Sequence, residues 1–325
     1  MSRFKTTLNP AWFQGRHKRE PYFEGWYFKL IDASTQHRYA FIPGIFLSQD
    51  PHAFIQVLDG AAGTATYHRF PLETFWAAED RFEIHIGGNR FGSDGIILNI
   101  ASPEQTIRGE IRLGDLASWP VTLASPGIMG WYAWVPTMEC YHGVVSLDHR
   151  LYGSLEIDGQ TVVFENGRGY IEKDWGQSFP QAWVWLQSNH FEQPGTCLTA
   201  STAVIPWRKS AFLGYIVGLW HEGRLYRFAT YTGAKTEQLA ITDEKVNWVL
   251  SSDRHRLHIL ANRGADSQYG LLKGPSTVEM GKRVAETLSA TVWVSLTDLA
   301  GMTLFEGNGR FAGLEVYHTE LLLKF

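Results

Sequence analysis

Short apolar runs recur along the chain, and Gly, Asp, Asn or Pro break most of them. Clear examples are 39–47, 54–58, 96–100, 161–165, 212–219, 257–260 and 290–296. Turn signals such as Gly87-Gly88-Asn89, Asp158-Gly159 and Glu222-Gly223 separate many of them. Helical periodicity of useful length is almost absent. Only 113–119 and 237–245 have room for a turn or two. Many short strands at near-regular spacing predict an all-β chain built as an antiparallel sandwich or barrel.

A weak repeat suggests two halves. Glu24-Gly25-Trp26-Tyr27-Phe28 opens the first, and Ala182-Trp183-Val184-Trp185-Leu186-Gln187 opens the second. Both set large aromatics two apart and run on into a second apolar strand. The run 174–180 between them reads as a crossover. The expected domains are therefore 1–176 and 177–325.

Strand alternation assigns faces, because side chains two apart share one side. Trp183, Trp185, Gln187, Asn189 and Phe191 fall on one side, and Val184, Leu186, Ser188 and His190 on the other. Amides among tryptophans are costly in a dry core unless hydrogen-bonded. They suit a lumen that holds a polar head and an apolar tail, or else they satisfy irregular backbone.

Composition sharpens this picture. Of 325 residues 44% are hydrophobic and 19% are charged, with a net charge of -4. No basic face is read from the charges, so nucleic acid is not an expected partner. The 13 Trp, 13 Tyr and 19 Phe fit a bulky β core or an aromatic-lined pocket. Cys140 and Cys197 form neither a metal spacing nor a disulfide framework, which fits a reduced, cytoplasmic setting. The first residues hold no secretory h-region, and no stretch approaches the roughly 18–20 apolar residues of a membrane helix. A peripheral contact with a membrane surface stays open.

Several carboxylates are candidates for chemistry. Glu24 shares a face with Trp26 and Phe28, and a carboxylate against tryptophan can act as a general acid. The plain alternative is an ion pair that fixes the strand. Glu172 and Asp174 share a face with Tyr170, while Lys173 and Trp175 point the other way. Two carboxylates on one face repel, which favours a proton on one of them. The run 136–143 adds Glu139, Cys140, Tyr141 and His142. Glu139 and His142 would pair as acid and base only across a bulge. No further ligand spacing supports a metal there, and none is expected.

Taken together these motifs resemble the tocopherol cyclase family. The resemblance rests on Asn9-Pro10, Phe13-Gln14-Gly15, the run 21–28, Glu172-Lys173-Asp174-Trp175-Gly176 and Phe179-Pro180. Trp183, Trp185, Gln187, Asn189 and Phe191 extend it, and the run 312–316 adds a weaker match. It implies a lipocalin-like fold in two halves and closure of a chroman ring on a phytylated hydroquinone without a cofactor. The expected partner is a long apolar prenylated molecule. The resemblance also implies Glu24 or Glu172 as the acid. Asp174 and Glu139 are the next candidates, and the run 139–142, with Tyr141 and His142, is a departure from the plant motif. Gln187 and Asn189 would bind the hydroquinone head. Trp26, Trp183 and Trp185 would line the cavity, with Tyr141 and His142 as further contacts. Asp174 stands where Asn is expected in the plant enzymes. No plastid transit peptide is seen, so a bacterial source is expected. A hydratase of carotenoid-type chains, another cyclase of this fold and a non-catalytic lipid carrier remain as alternatives.

Overall fold

The computed structural model describes residues 2–242, 244–264 and 267–324, without the side chain of residue 282. Its strands are β1 (Tyr22–Ile31), β2 (Arg38–Leu47), β3 (His52–Asp59), β4 (Thr64–Phe70), β5 (Phe75–Ala77), β6 (Glu83–Ile86), β7 (Asn89–Gly92), β8 (Gly95–Ala101), β9 (Thr106–Gly114), β10 (Cys140–Ile157), β11 (Gln160–Val163) and β12 (Gly167–Gly176). There follow β13 (Trp183–Ser188), β14 (His190–Phe191), β15 (Cys197–Trp207), β16 (Ser210–His221), β17 (Arg224–Ala229), β18 (Lys235–Ile241), β19 (Lys245–Ser251), β20 (His255–Asn262), β21 (Gly270–Pro275), β22 (Met280–Asp298) and β23 (Thr303–Tyr317). The chain is all-β, with two antiparallel lipocalin-like sheets.

Two compact units share the chain. One holds 1–179 together with 270–284, and the other holds 180–269 and 285–325. In the first sheet the order is β4-β3-β2-β1-β12-β10-β9-β8-β7-β6-β5, with β11 on β10. The long-range pairing of β1 with β12 therefore sits mid-sheet. In the second sheet β13 lies between β15 and β23.

Each expected run lies mostly in a strand, and the three turn signals lie between β6 and β7, β10 and β11, and β16 and β17. Among the described residues the expected helical turns do not form, and residue 243 of the second stretch lies outside them. Leu113 and Gly114 end β9, and 237–241 belong to β18. There Leu239 pairs with Trp248 across the ladder and, with Ile241, packs on the core. Burial on a sheet outweighs a weak local preference for helix.

β1 is almost wholly buried, on both faces. Its aromatic and β-branched residues suit such a strand. Trp26 stacks on Phe82 with centroids 5.9 Å apart, and Phe28 packs on Phe82 and Phe91. In the second unit Val184, Leu186, Leu198, Leu219, Trp248 and Val294 belong to one core. Phe191 packs in that core rather than with Trp183 and Trp185, centroid to centroid 5.8 Å from Phe305. The alternation breaks at Asn189, between β13 and β14. On the neighbouring strand Phe311 is left-handed, with φ 52°.

Candidate active site

Partners directly opposite in an antiparallel ladder point to the same side. Glu24 is opposite Trp175, and Trp26 is opposite Lys173. Tyr27 is opposite Glu172, and His142 of β10 is opposite Asp174. β12 thus carries two different polar groups on its two faces.

On the Trp26 face lies a buried ion pair. Lys173 Nζ reaches Glu24 Oε1 at 2.5 Å, and neither side chain is exposed. Glu24 also accepts from the Gln14 backbone N–H at 3.0 Å and from the Tyr22 hydroxyl at 2.5 Å. Lys173 donates to the Trp12 carbonyl at 2.7 Å and sits 4.5 Å and 4.7 Å from the ring centroids of Trp26 and Trp175. Burial pulls the Lys173 pKa down, against the pull of Glu24. Burial, with Glu24 alongside, holds the Tyr22 phenol well above its usual pKa. Tyr22 therefore stays a donor. This set fastens the N-terminal segment to the sheet.

On the other face stands a proton-sharing cluster. His142 Nδ1 lies 2.8 Å from Asp174 Oδ1, and Nε2 lies 3.5 Å from Glu172 Oε2. The second distance is that of an ion pair rather than a directed hydrogen bond. The Tyr170 hydroxyl donates to Glu172 Oε2 at 2.5 Å. Burial alone would depress the His142 pKa, but Asp174, then Glu172, outweigh it and push it up to about 9. At neutral pH an imidazolium therefore separates two carboxylates that would otherwise repel each other. The three groups each offer one donor atom within 4.8 Å of one another. A divalent cation would accept that set only by displacing the proton His142 holds against Asp174.

Glu139 lies apart from this cluster. Its Oε1 accepts from Ser178 Oγ at 2.7 Å, and β10 begins only at Cys140. His142 therefore pairs across the sheet rather than along its own chain. Tyr141 stacks on Trp175 at 5.4 Å on the opposite face. A cavity of about 270 Å³ is lined by Phe13, Gln14, Met129, Tyr141, His142 and Trp175, among others, so His142 of the cluster borders it too.

The second unit carries its own polar and aromatic face. Trp183 donates from Nε1 to Glu315 Oε2 at 2.7 Å and stacks on Tyr317 at 4.3 Å. Trp185 is opposite both Ser201 and Glu315, and Glu315 is opposite Glu286. Gln187 and Asn189 are buried. Gln187 Nε2 donates to Cys197 Sγ at 3.6 Å, and Asn189 Oδ1 lies 3.0 Å from His190 Nδ1. Amide, carboxylate and indole groups on one face can hold a phenolic head. Sequence reasoning missed Glu286. A single Glu in an apolar strand signals nothing until the ladder sets it opposite Glu315.

A family model described as tocopherol cyclase-like matches residues 91–317. The chain belongs to that family. Among its tocopherol cyclase-like relatives, "Probable tocopherol cyclase, chloroplastic" of Oryza sativa subsp. japonica is 27% identical over 224 residues, 65% of this chain and 47% of that protein. "Tocopherol cyclase, chloroplastic" of Zea mays is 26% identical over 184 residues, 54% of this chain and 38% of that protein. The chain thus spans half or less of these relatives. Among solved structures, CghA with Sch210972 aligns at a TM-score of 0.54 and 12% identity, over 91% of this chain and 88% of that one. Kievitone hydratase from Nectria haematococca aligns at 0.50 and 12%, over 94% and 93%. These likenesses show the fold that the tocopherol cyclase-like chain shares. The family match contains the His142, Glu172 and Asp174 cluster and begins after Glu24.

Proposed function

We propose that this chain is a cofactor-independent cyclase that closes a chroman ring on a prenylated hydroquinone. The observation that carries this reading is the His142, Glu172 and Asp174 cluster around a buried Glu172, inside the tocopherol cyclase-like match. Such a closure needs an acid strong enough for an alkene, a base for the phenol proton, and exclusion of water. The proton that His142 holds in the cluster passes through Glu172, aligned by Tyr170, to the alkene carbon that leaves a tertiary cation. The phenol oxygen bonds to that cation. Its proton returns to the cluster, so substrate and product are isomers and the enzyme ends as it began. Tyr27 and Tyr170 place aromatic rings on the same face as Glu172, where a cation gains from their π faces.

Glu24 is assigned to structure instead. Its oxygens meet three donors, and its partner Lys173 is fully buried. The two roles separate in one experiment. Phytyl hydroquinone is given to the parent, Glu172→Gln and Glu24→Gln proteins, with chroman formation and the thermal midpoint recorded side by side. Glu172→Gln is expected to lose at least about 10²-fold in turnover per folded molecule, the lower end for general acid catalysis. Glu24→Gln is expected to lose about 3–5 kcal/mol of stability, as when one partner leaves a buried pair, with turnover per folded molecule near the parent's. Parental turnover by Glu172→Gln removes it as the acid. A parent that binds the quinol without forming chroman is a carrier. Activity abolished by a chelator and restored by a divalent cation would replace the proton cluster with a metal centre.

A further inference from the structure

Two segments of the first unit meet beside the cavity described above. Residues 3–19 hold Arg3, Lys5, Arg16, Lys18 and Arg19 and no Asp or Glu. Residues 116–138 hold no charged side chain but include Trp119, Trp131 and Trp134. Arg3 Nη2 donates to the Trp134 carbonyl at 2.8 Å, and Phe4 stacks on the Trp134 ring at 5.4 Å. Trp134 in turn donates from Nε1 to the Leu123 carbonyl at 2.9 Å. Large apolar side chains nonetheless face outward here: Phe4 is 58% exposed, Leu123 64% and Trp131 46%. Of the exposed basic residues, Arg16 is committed to Glu79 at 2.8 Å. Lys18 and Arg19 enter no ion pair among the described residues. The cavity opens between the segments, with Arg3, Arg16 and Lys18 among its lining.

We propose that this surface docks on an anionic lipid bilayer. Exposed Trp, Phe and Leu beside a basic cluster form the pairing that suits a headgroup boundary, where apolar side chains insert and cations meet lipid phosphate. The local positive charge stands against a net charge of -4 for the chain, so the attraction is confined to this surface. The sequence reading found no basic face because Arg3 and Lys5 lie well apart from the 16–19 run in the chain. Folding brings Arg3 to the same cavity as Arg16 and Lys18. The proposal does not depend on the cyclase reading.

Flotation with vesicles of phosphatidylcholine alone, and of phosphatidylcholine with phosphatidylglycerol, tests it at low and high salt. The parent is expected to float with the anionic vesicles, less so at high salt. Lys18→Gln with Arg19→Gln is expected to weaken partitioning by about 25-fold, at roughly fivefold per basic residue removed. Leu123→Ser with Trp131→Ser is expected to weaken it too, with the thermal midpoint unchanged. Equal binding to both vesicle types, binding to neither, or parental binding by the Lys18 and Arg19 variant would overturn the proposal. So would saturable binding of a soluble alkyl phosphate by a protein that ignores vesicles.

Discussion

Two histidines of β10 meet opposite electrostatic fates. His142 gains two carboxylates, and its pKa rises from 6.5 to about 9. Its contribution is therefore fully present below pH 6.5 and fades as pH climbs through 9. On linkage grounds it is worth about 3 kcal/mol. His149 is buried beside Ser146 Oγ, with burial first and Arg168 second pushing its pKa down to about 3. It is neutral in the fold, so stability present above pH 6.5 is lost as pH falls toward 3. Denaturant midpoints measured across this range should show both slopes. In His142→Gln the decline from pH 6.5 to 9 should flatten, and in His149→Gln the acid decline should flatten. Slopes unchanged in both variants would refute these assignments. Sequence reading flagged His142 but tied it to Glu139, three positions away. Its real partners lie 30 and 32 residues downstream, and no local pattern points across a ladder.

At the scale of elements, alternation was the most legible signal. Reading 170–175 two by two separates Glu172 and Asp174 from Lys173 and Trp175, and the ladder keeps that separation. The same rule fails past Asn189, where the strand breaks and Phe191 turns into the core. Close approach of backbones adds a constraint that polarity does not encode. Gly153 has φ 117°, and a Cβ there would lie 2.3 Å from the Glu110 carbonyl oxygen on β9. Gly153→Ala is therefore expected to cost about 1–3 kcal/mol. A thermal midpoint equal to the parent's would show that β9 and β10 can part without penalty.

For the whole molecule, the first unit takes in 270–284 from far along the chain. Gln56 of β3 accepts from the Lys273 backbone N–H at 2.7 Å and donates to its carbonyl at 2.9 Å. Lys273 Nζ lies 4.2 Å from the Tyr67 ring centroid. A fragment of residues 1–179 lacks these contacts and bares the surface of β3 and β4 on which 270–284 packs. Newly exposed surface of this kind recruits other chains. The fragment is thus expected to self-associate and melt below the full chain. Light scattering showing a monomer with the parent's thermal midpoint would contradict this.

The sequence by itself determined the class of fold, its abundance of strands and turns, and the motifs that mark the tocopherol cyclase-like family. Those properties follow from local periodicity, turn chemistry and residue type, all of which are written along the chain. Tertiary structure decided which carboxylate became a partner of lysine and which a partner of histidine. Glu24 and Glu172 look alike in sequence, each set among aromatics on a strand. They differ because the β1–β12 and β10–β12 ladders deliver Lys173 to one and His142 to the other. The cost of burying a charge depends on what lies across the sheet, and pairing between distant strands fixes that.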